Sequence, residues 1–251
     1  MRKEKDDDLV RCERWTLISQ GLSLPVFAAW PAGGPAGPWP TVQIHHGGGG
    51  YDPLYEHMAR SLAALGFVGV TLVHRGYPGA QGRMEYGKGE IADIGALGEE
   101  LARRPQVDAD HMGIMGYSRG GHNALLAAAH LGGFRAVAAW SAPTDMFVHV
   151  QVHPWIADLI GGTPDQVREE YEVRSSIRWA HRIRCPVLLL HGEADDVVPA
   201  AHSRRLAERL RELGSPCELE ILPGEGHVWS PTGFARCWER TVRFFQTHLA
   251  S

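Results

Sequence analysis

The sequence predicts an α/β protein built on a mostly parallel central sheet flanked by helices. Three observations carry the prediction. Short apolar segments recur from residue 41 onward. Stretches of about 10–15 residues with helical spacing of apolar positions separate them. Within the segments the apolar residues run nearly unbroken instead of alternating, as in strands covered on both faces.

The elements follow in order. Residues 11–18 and 22–30 read as two strands joined at Gln20-Gly21, an antiparallel start. The Gly- and Pro-rich segment 31–40 reads as a surface loop. A strand over 41–46 runs into four glycines, Gly47 to Gly50. Leu54, Met58, Leu62 and Leu65 mark a helix over 54–65, stopped at Gly66. Strand 67–73, helix 91–104, strand 112–117, helix 119–131 and strand 136–140 follow. Strand 186–191, helix 200–213, strand 218–222 and helix 234–249 close the chain. Residues 142–183 break the rhythm with Pro143, Pro154 and Pro164, and suggest a small cap insertion. Residues 1–10 read as a polar tail, and 11–251 as a single domain.

Composition narrows the function classes. The chain has 251 residues, 44% hydrophobic and 22% charged, with a net charge of −4. That charge is too small to favour nucleic acid or an anionic membrane as partner. Cys12, Cys185, Cys217 and Cys237 form no CxxC pair, so zinc-type spacing is absent and reduced thiols are expected. The charged start MRKEKDDDLV lacks the apolar core of a secretory signal, and no apolar run reaches the length of a membrane span. A cytoplasmic protein is expected, with no metal and no cofactor; a homo-oligomer is left open.

Gly116-Tyr117-Ser118-Arg119-Gly120-Gly121 falls between a predicted strand and a predicted helix. A serine on a sharp strand-to-helix turn needs small neighbours, and the helix start directs N–H groups at any oxyanion formed there. Ser118 is therefore the expected nucleophile. Its hydroxyl needs a base. His227, on the loop after the last predicted strand, would lie at the same end of the sheet. The base needs a carboxylate, and Glu193, Asp195 and Asp196 cluster after strand 186–191. Asp195 is preferred; Asp196 and, on the preceding loop, Asp145 stand as alternatives. The His45-His46-Gly47-Gly48-Gly49-Gly50 run offers an oxyanion-hole donor beside the Arg119 N–H, with Gly48 first choice and Gly47 second. His45 and His46 are adjacent on a strand and so point to opposite faces, which argues for packing or loop anchoring over metal binding. Tyr51 and Trp229 are candidate walls of an apolar substrate site.

With these residues in view, the chain resembles the catalytic domain of the prolyl oligopeptidase family of α/β-hydrolases, which includes small esterases. The resemblance spans about residues 11–250. It rests on His46-Gly47-Gly48, Arg75-Gly76 with glycines to Gly82, the segment 116–121, His191-Gly192 with Asp195 and Val198-Pro199, and Gly226-His227. It implies a Ser118–Asp195–His227 triad, Gly48 and Arg119 as backbone donors, and a structural role for Arg75. Gly49 replaces the proline usual after the HGG, Arg119 stands where Tyr or Ala is frequent, and the 251 residues are expected to leave no room for the family's large N-terminal propeller. The expected activity is hydrolysis of small to medium carboxylic esters through an acyl-enzyme. Short peptides or amides, or acyl transfer and lactone hydrolysis, are the alternatives, with a non-catalytic binding protein last.

Overall fold

A computed structural model describes residues 2–3, 9–32 and 37–249. One nine-stranded sheet runs in the order β1-β2-β3-β5-β4-β6-β7-β8-β9. The first members are β1 (Arg2–Lys3), β2 (Val10–Ser19), β3 (Leu22–Pro31), β4 (Trp39–His45) and β5 (Val68–Leu72). The remainder are β6 (Val107–Tyr117), β7 (Ala136–Trp140), β8 (Val187–Gly192) and β9 (Cys217–Leu222). Strands β1, β2, β3 and β5 pair antiparallel; β5, β4 and β6 through β9 are parallel. The expected mixed architecture is found. The polar tail through residue 10 is not wholly a tail: Arg2–Lys3 pairs with Glu13 and Arg14, and Val10 already belongs to β2. The remaining tail positions, Met1 and 4–8, lie outside the described residues.

The unbroken apolar runs are explained by the two helical layers. Met115, Ala138 and Leu188 face α1 (Pro53–Ala63) and α8 (Pro231–Leu249), packing with Met58, Leu62 and Phe245. Their neighbours Ile114, Val137 and Leu189 face the other way, onto α2 (Gly89–Ala102), α3 (Arg119–His130) and α7 (Ala201–Glu212). Asp52 caps α1 by accepting from the Leu54 N–H at 2.6 Å, ahead of Pro53 in the first turn.

After β4 the chain passes through α1 to β5 on one side, and α2 then carries it to β6 on the other side of β4. The switch point therefore lies at the carboxyl ends of β4 and β6, where open α/β sheets leave a crevice. Residues 142–183 follow β7 and fold into α4 (Met146–Val152), α5 (Ile156–Ile160), α6 (Arg168–Val173) and a 3-10 turn over Ser176–Arg182. Met146, Val150, Ile156, Ile160 and Tyr171 share a small core with Tyr86.

Arg75 is buried, and its guanidinium forms a two-pronged ion pair with Asp93 at 2.7 and 2.6 Å. Its second Nη also donates to Gln20, 2.9 Å away, tying the β2–β3 turn to α2. Without Asp93 the buried Arg75 charge would keep a longer contact to Glu85, at 3.4 Å. Asp93→Ala is expected to cost about 3–5 kcal/mol of stability, read as a lower urea midpoint.

Candidate active site

The Gly116–Gly120 spacing is fixed by crowding. A Cβ on Gly116 would sit 2.2 Å from the Gly120 carbonyl, and one on Gly120 would sit 2.0 Å from the His45 carbonyl. Between them Ser118 adopts φ 53° and ψ −117°, a left-handed-side backbone that costs a non-glycine residue about 1–3 kcal/mol. The turn is held by the Ser118 N–H donating to the Trp140 carbonyl at 2.7 Å. It projects the hydroxyl over the carboxyl end of β6. Arg119 is the first residue of α3, so its N–H has no acceptor within the helix.

The structure brings Ser118, His227 and Asp195 together. Ser118 Oγ lies 3.0 Å from His227 Nε2, and His227 Nδ1 lies 2.8 Å from Asp195 Oδ2. The other Asp195 oxygen accepts the N–H groups of Val197 at 3.1 Å and Val198 at 2.7 Å. His191 Nε2 stands 3.3 Å from Oδ2. Burial pushes the Asp195 carboxyl up, but the bonds to His191, His227 and the Val198 N–H outweigh it and hold the group well below the usual carboxylate range. A permanent carboxylate favours the Nδ1–H tautomer of His227, which leaves Nε2 free to take the serine proton.

Neither alternative to Asp195 is hydrogen-bonded to His227. Asp196 is exposed and caps no helix, since α7 begins after Ala200 without a side-chain cap. Asp145 accepts from Phe147 N–H at the start of α4 and pairs with Arg205 at 3.3 Å.

The acid and base loops are stitched together. Ala194 N–H donates to the Glu225 carbonyl at 2.9 Å, and Glu193 N–H to the Leu222 carbonyl at 2.9 Å. A Cβ on Gly192 would meet the Gly226 carbonyl at 2.3 Å, so the two backbones are in direct contact. Tyr117 Oη donates to the His227 carbonyl.

The glycine loop requires one correction. The Gly47 N–H donates to Tyr55 Oη at 3.0 Å and is spent there, so Gly47 is not an oxyanion donor. His46 explains which peptide is left. Its Nε2 accepts the His74 N–H at 3.0 Å, so its Nδ1 carries the proton and donates to the Gly47 carbonyl at 2.9 Å. In a trans peptide the following N–H, that of Gly48, points the opposite way. Gly48 lines the cavity that contains Ser118.

That cavity, about 440 Å³, is lined by Ser118, His227, Arg119, Tyr86, His149, His153 and Trp155 among others. Tyr51 and Trp229 are not part of it. Tyr51 packs on His46 and Tyr55 and bonds to Glu56 at 3.2 Å. Trp229 packs on Trp140, ring centroids 4.9 Å apart, and lines a neighbouring apolar cavity that shares Tyr117 and Val228 with the one at Ser118. The wall that sequence reasoning missed is Tyr86 with His149 and His153. Tyr86 (φ 54°) is held by Glu90, whose carboxylate accepts the N–H groups of residues 85, 86, 87 and 88. Its hydroxyl meets His149 Nε2 at 2.8 Å. A glutamate opening a helix was the sole sequence sign of that nest.

Among the described residues no three His, Cys, Asp or Glu side chains are grouped to hold a metal, the cysteines form no disulfide, and no helix is long and apolar enough to cross a membrane.

Comparison with known proteins identifies the family. The family model described as the prolyl oligopeptidase family matches residues 54–251. The uncharacterized peptidase YtmA of Bacillus subtilis is 34% identical over 175 residues, 68% of each chain. Human dipeptidyl peptidase 8 is 29% identical over 210 residues, 77% of this chain, of which this chain spans 23%. A puromycin-hydrolyzing peptidase of Mycobacterium tuberculosis superposes with a TM-score of 0.87 at 24% identity, over 96% of this chain and 39% of that one, a likeness of fold. The chain thus belongs to the prolyl oligopeptidase family and is a serine hydrolase on the α/β-hydrolase fold.

Proposed function

We propose that the protein hydrolyses carboxylic esters of small to medium size through an acyl-enzyme on Ser118. The observation that carries the reading is the unbroken hydrogen-bonded line from Ser118 Oγ through His227 to Asp195. In it Ser118 attacks the carbonyl while His227 Nε2 takes its proton. The Gly48 and Arg119 N–H groups receive the oxyanion. His227 then protonates the leaving alcohol, and water attacks the acyl-enzyme with the same base. Residues 142–183 act as a cap, whose His149, His153 and Trp155 close the cavity over Ser118.

The test pairs labelling with a substrate panel. A fluorophosphonate is expected to modify Ser118 alone, and p-nitrophenyl acetate to turn over faster than aminoacyl-p-nitroanilides. Label on another residue would sink the mechanism. The second reading is a peptidase, favoured by the names of the relatives; faster anilide turnover would establish it in place of the first. Asp195→Asn leaves the shape and removes the charge that orients His227. Its kcat is expected to fall about 10⁴-fold, measured on the ester that wild type turns over best.

A further inference from the structure

Arg119 has a side chain as well as a backbone N–H, and its surroundings are unusual for a cation. It is buried, 8% exposed, in the cavity wall next to Ser118. Among the described residues no carboxylate lies within ion-pair distance of it. Its partners are neutral: Tyr77 Oη, Met84 Sδ and the face of Tyr86, whose centroid lies 4.7 Å from the guanidinium carbon. Its Nε is buried with no acceptor at all. Its Nη2 reaches Gly48, 3.4 Å from where a Cβ would stand, beside the loop proposed to receive the oxyanion. Tyr77 Oη in turn donates to the Gly48 carbonyl at 3.2 Å, so the guanidinium is braced against that loop.

A buried arginine without a counter-ion is costly, because the lost hydration is not replaced by an opposite charge. Nothing else in the cavity supplies one: its lining contains no Asp and no Glu. His149 is kept neutral by burial and by its neighbours His202 and His153. The cavity therefore presents one fixed positive charge and no negative one. A guanidinium matches a carboxylate in shape and hydrogen-bond pattern.

We propose that Arg119 binds a free carboxylate carried by the substrate within a few bonds of the scissile carbonyl, making the protein a hydrolase of anionic esters. This rests on the ester-hydrolase reading above. It also predicts exclusion of substrates with a free ammonium group at that distance, since the only fixed charge they would meet has the same sign.

Isosteric esters test it. Monomethyl succinate and methyl 4-methylpentanoate differ by a carboxylate in place of an isopropyl group of the same shape, and methyl 3-aminopropanoate and methyl butanoate by an ammonium in place of a methyl group. The pair 3-acetoxypropanoate and 3-methylbutyl acetate places the carboxylate on the leaving side instead. Wild type is expected to favour at least one anion over its neutral isostere by tenfold or more in kcat/KM, with the cationic ester poorest. Arg119→Met is expected to erase that ratio and Arg119→Lys to keep part of it; using the ratio within each variant cancels any general loss of activity. Turnover without charge preference in both pairs, or a preference that survives Arg119→Met, overturns the proposal and leaves the hydrolase reading standing. Absence of any ester turnover together with absence of fluorophosphonate labelling overturns both. Should Arg119→Met fail to fold, competition in wild type decides. Succinate is expected to slow labelling of Ser118 at concentrations where succinamide does not, and equal slowing overturns the proposal.

Discussion

Ser118→Ala is expected to lower kcat on p-nitrophenyl acetate about a million-fold, with the fold intact. The alanine keeps the backbone N–H that donates to Trp140 and removes only the hydroxyl. Alanine meets the same positive φ that serine does, so stability should change little and the loss is assigned to chemistry. A residue of about 10³ over water should persist, because the Gly48 and Arg119 N–H groups and the cavity remain. His227→Ala should give nearly the same loss, and the double variant little more, since the two act as one unit. An active Ser118→Ala, purified free of contaminating esterase, would refute the acyl-enzyme route.

The second large effect is on stability in mild acid. Burial lowers seven of the described histidines from the ordinary value of 6.5, among them His45 to about 3, and His46, His122 and His202 to about 4. The unfolded chain takes up a proton at each near pH 6.5, while the folded chain resists until near pH 4. The unfolded state binds more protons throughout that window, so this stabilisation is full above 6.5 and is lost as pH falls toward 4. Each such histidine contributes on the order of 3 kcal/mol across the window. Two of them already approach the whole stability of an ordinary domain. The urea midpoint is expected to drop steeply between pH 6.5 and 5, with cooperative unfolding before pH 4. A midpoint flat down to pH 4.5 would show that these rings are hydrated. His45 and His46 lead into the glycine loop and His122 lies in the first turns of α3, so activity should fail with the fold.

The sequence made the central strands legible because burial on both faces leaves continuous apolar runs, as in Val68–Leu72 and Ala136–Trp140. It made Ser118, Asp195 and His227 legible because each lies just beyond the carboxyl end of a strand, and parallel strands bring those ends together. Direction within a loop was not legible. Trp229 is two residues from His227, yet it turns back onto Trp140. Gly47 and Gly48 are indistinguishable as letters; what separates them is the Tyr55 hydroxyl, supplied by a helix that begins after the loop. The Tyr86–His149 wall joins residues 63 positions apart through two loops with no periodicity, and so left no pattern to read.

The stitching between the loops of Asp195 and His227 has a consequence for how the relay fails. The Ala194 to Glu225 bond and the Gly192–Gly226 contact leave neither loop a private route of opening. Asp195 and His227, the proposed catalytic acid and base, should therefore melt as one cooperative unit, and amide protons at Ala194 and Glu193 should exchange at the same opening free energy. Partial relays, in which His227 keeps its place after Asp195 has left, would then be rare. Activity near the melting transition would fall in a single step, and the surviving molecules would have ordinary kcat.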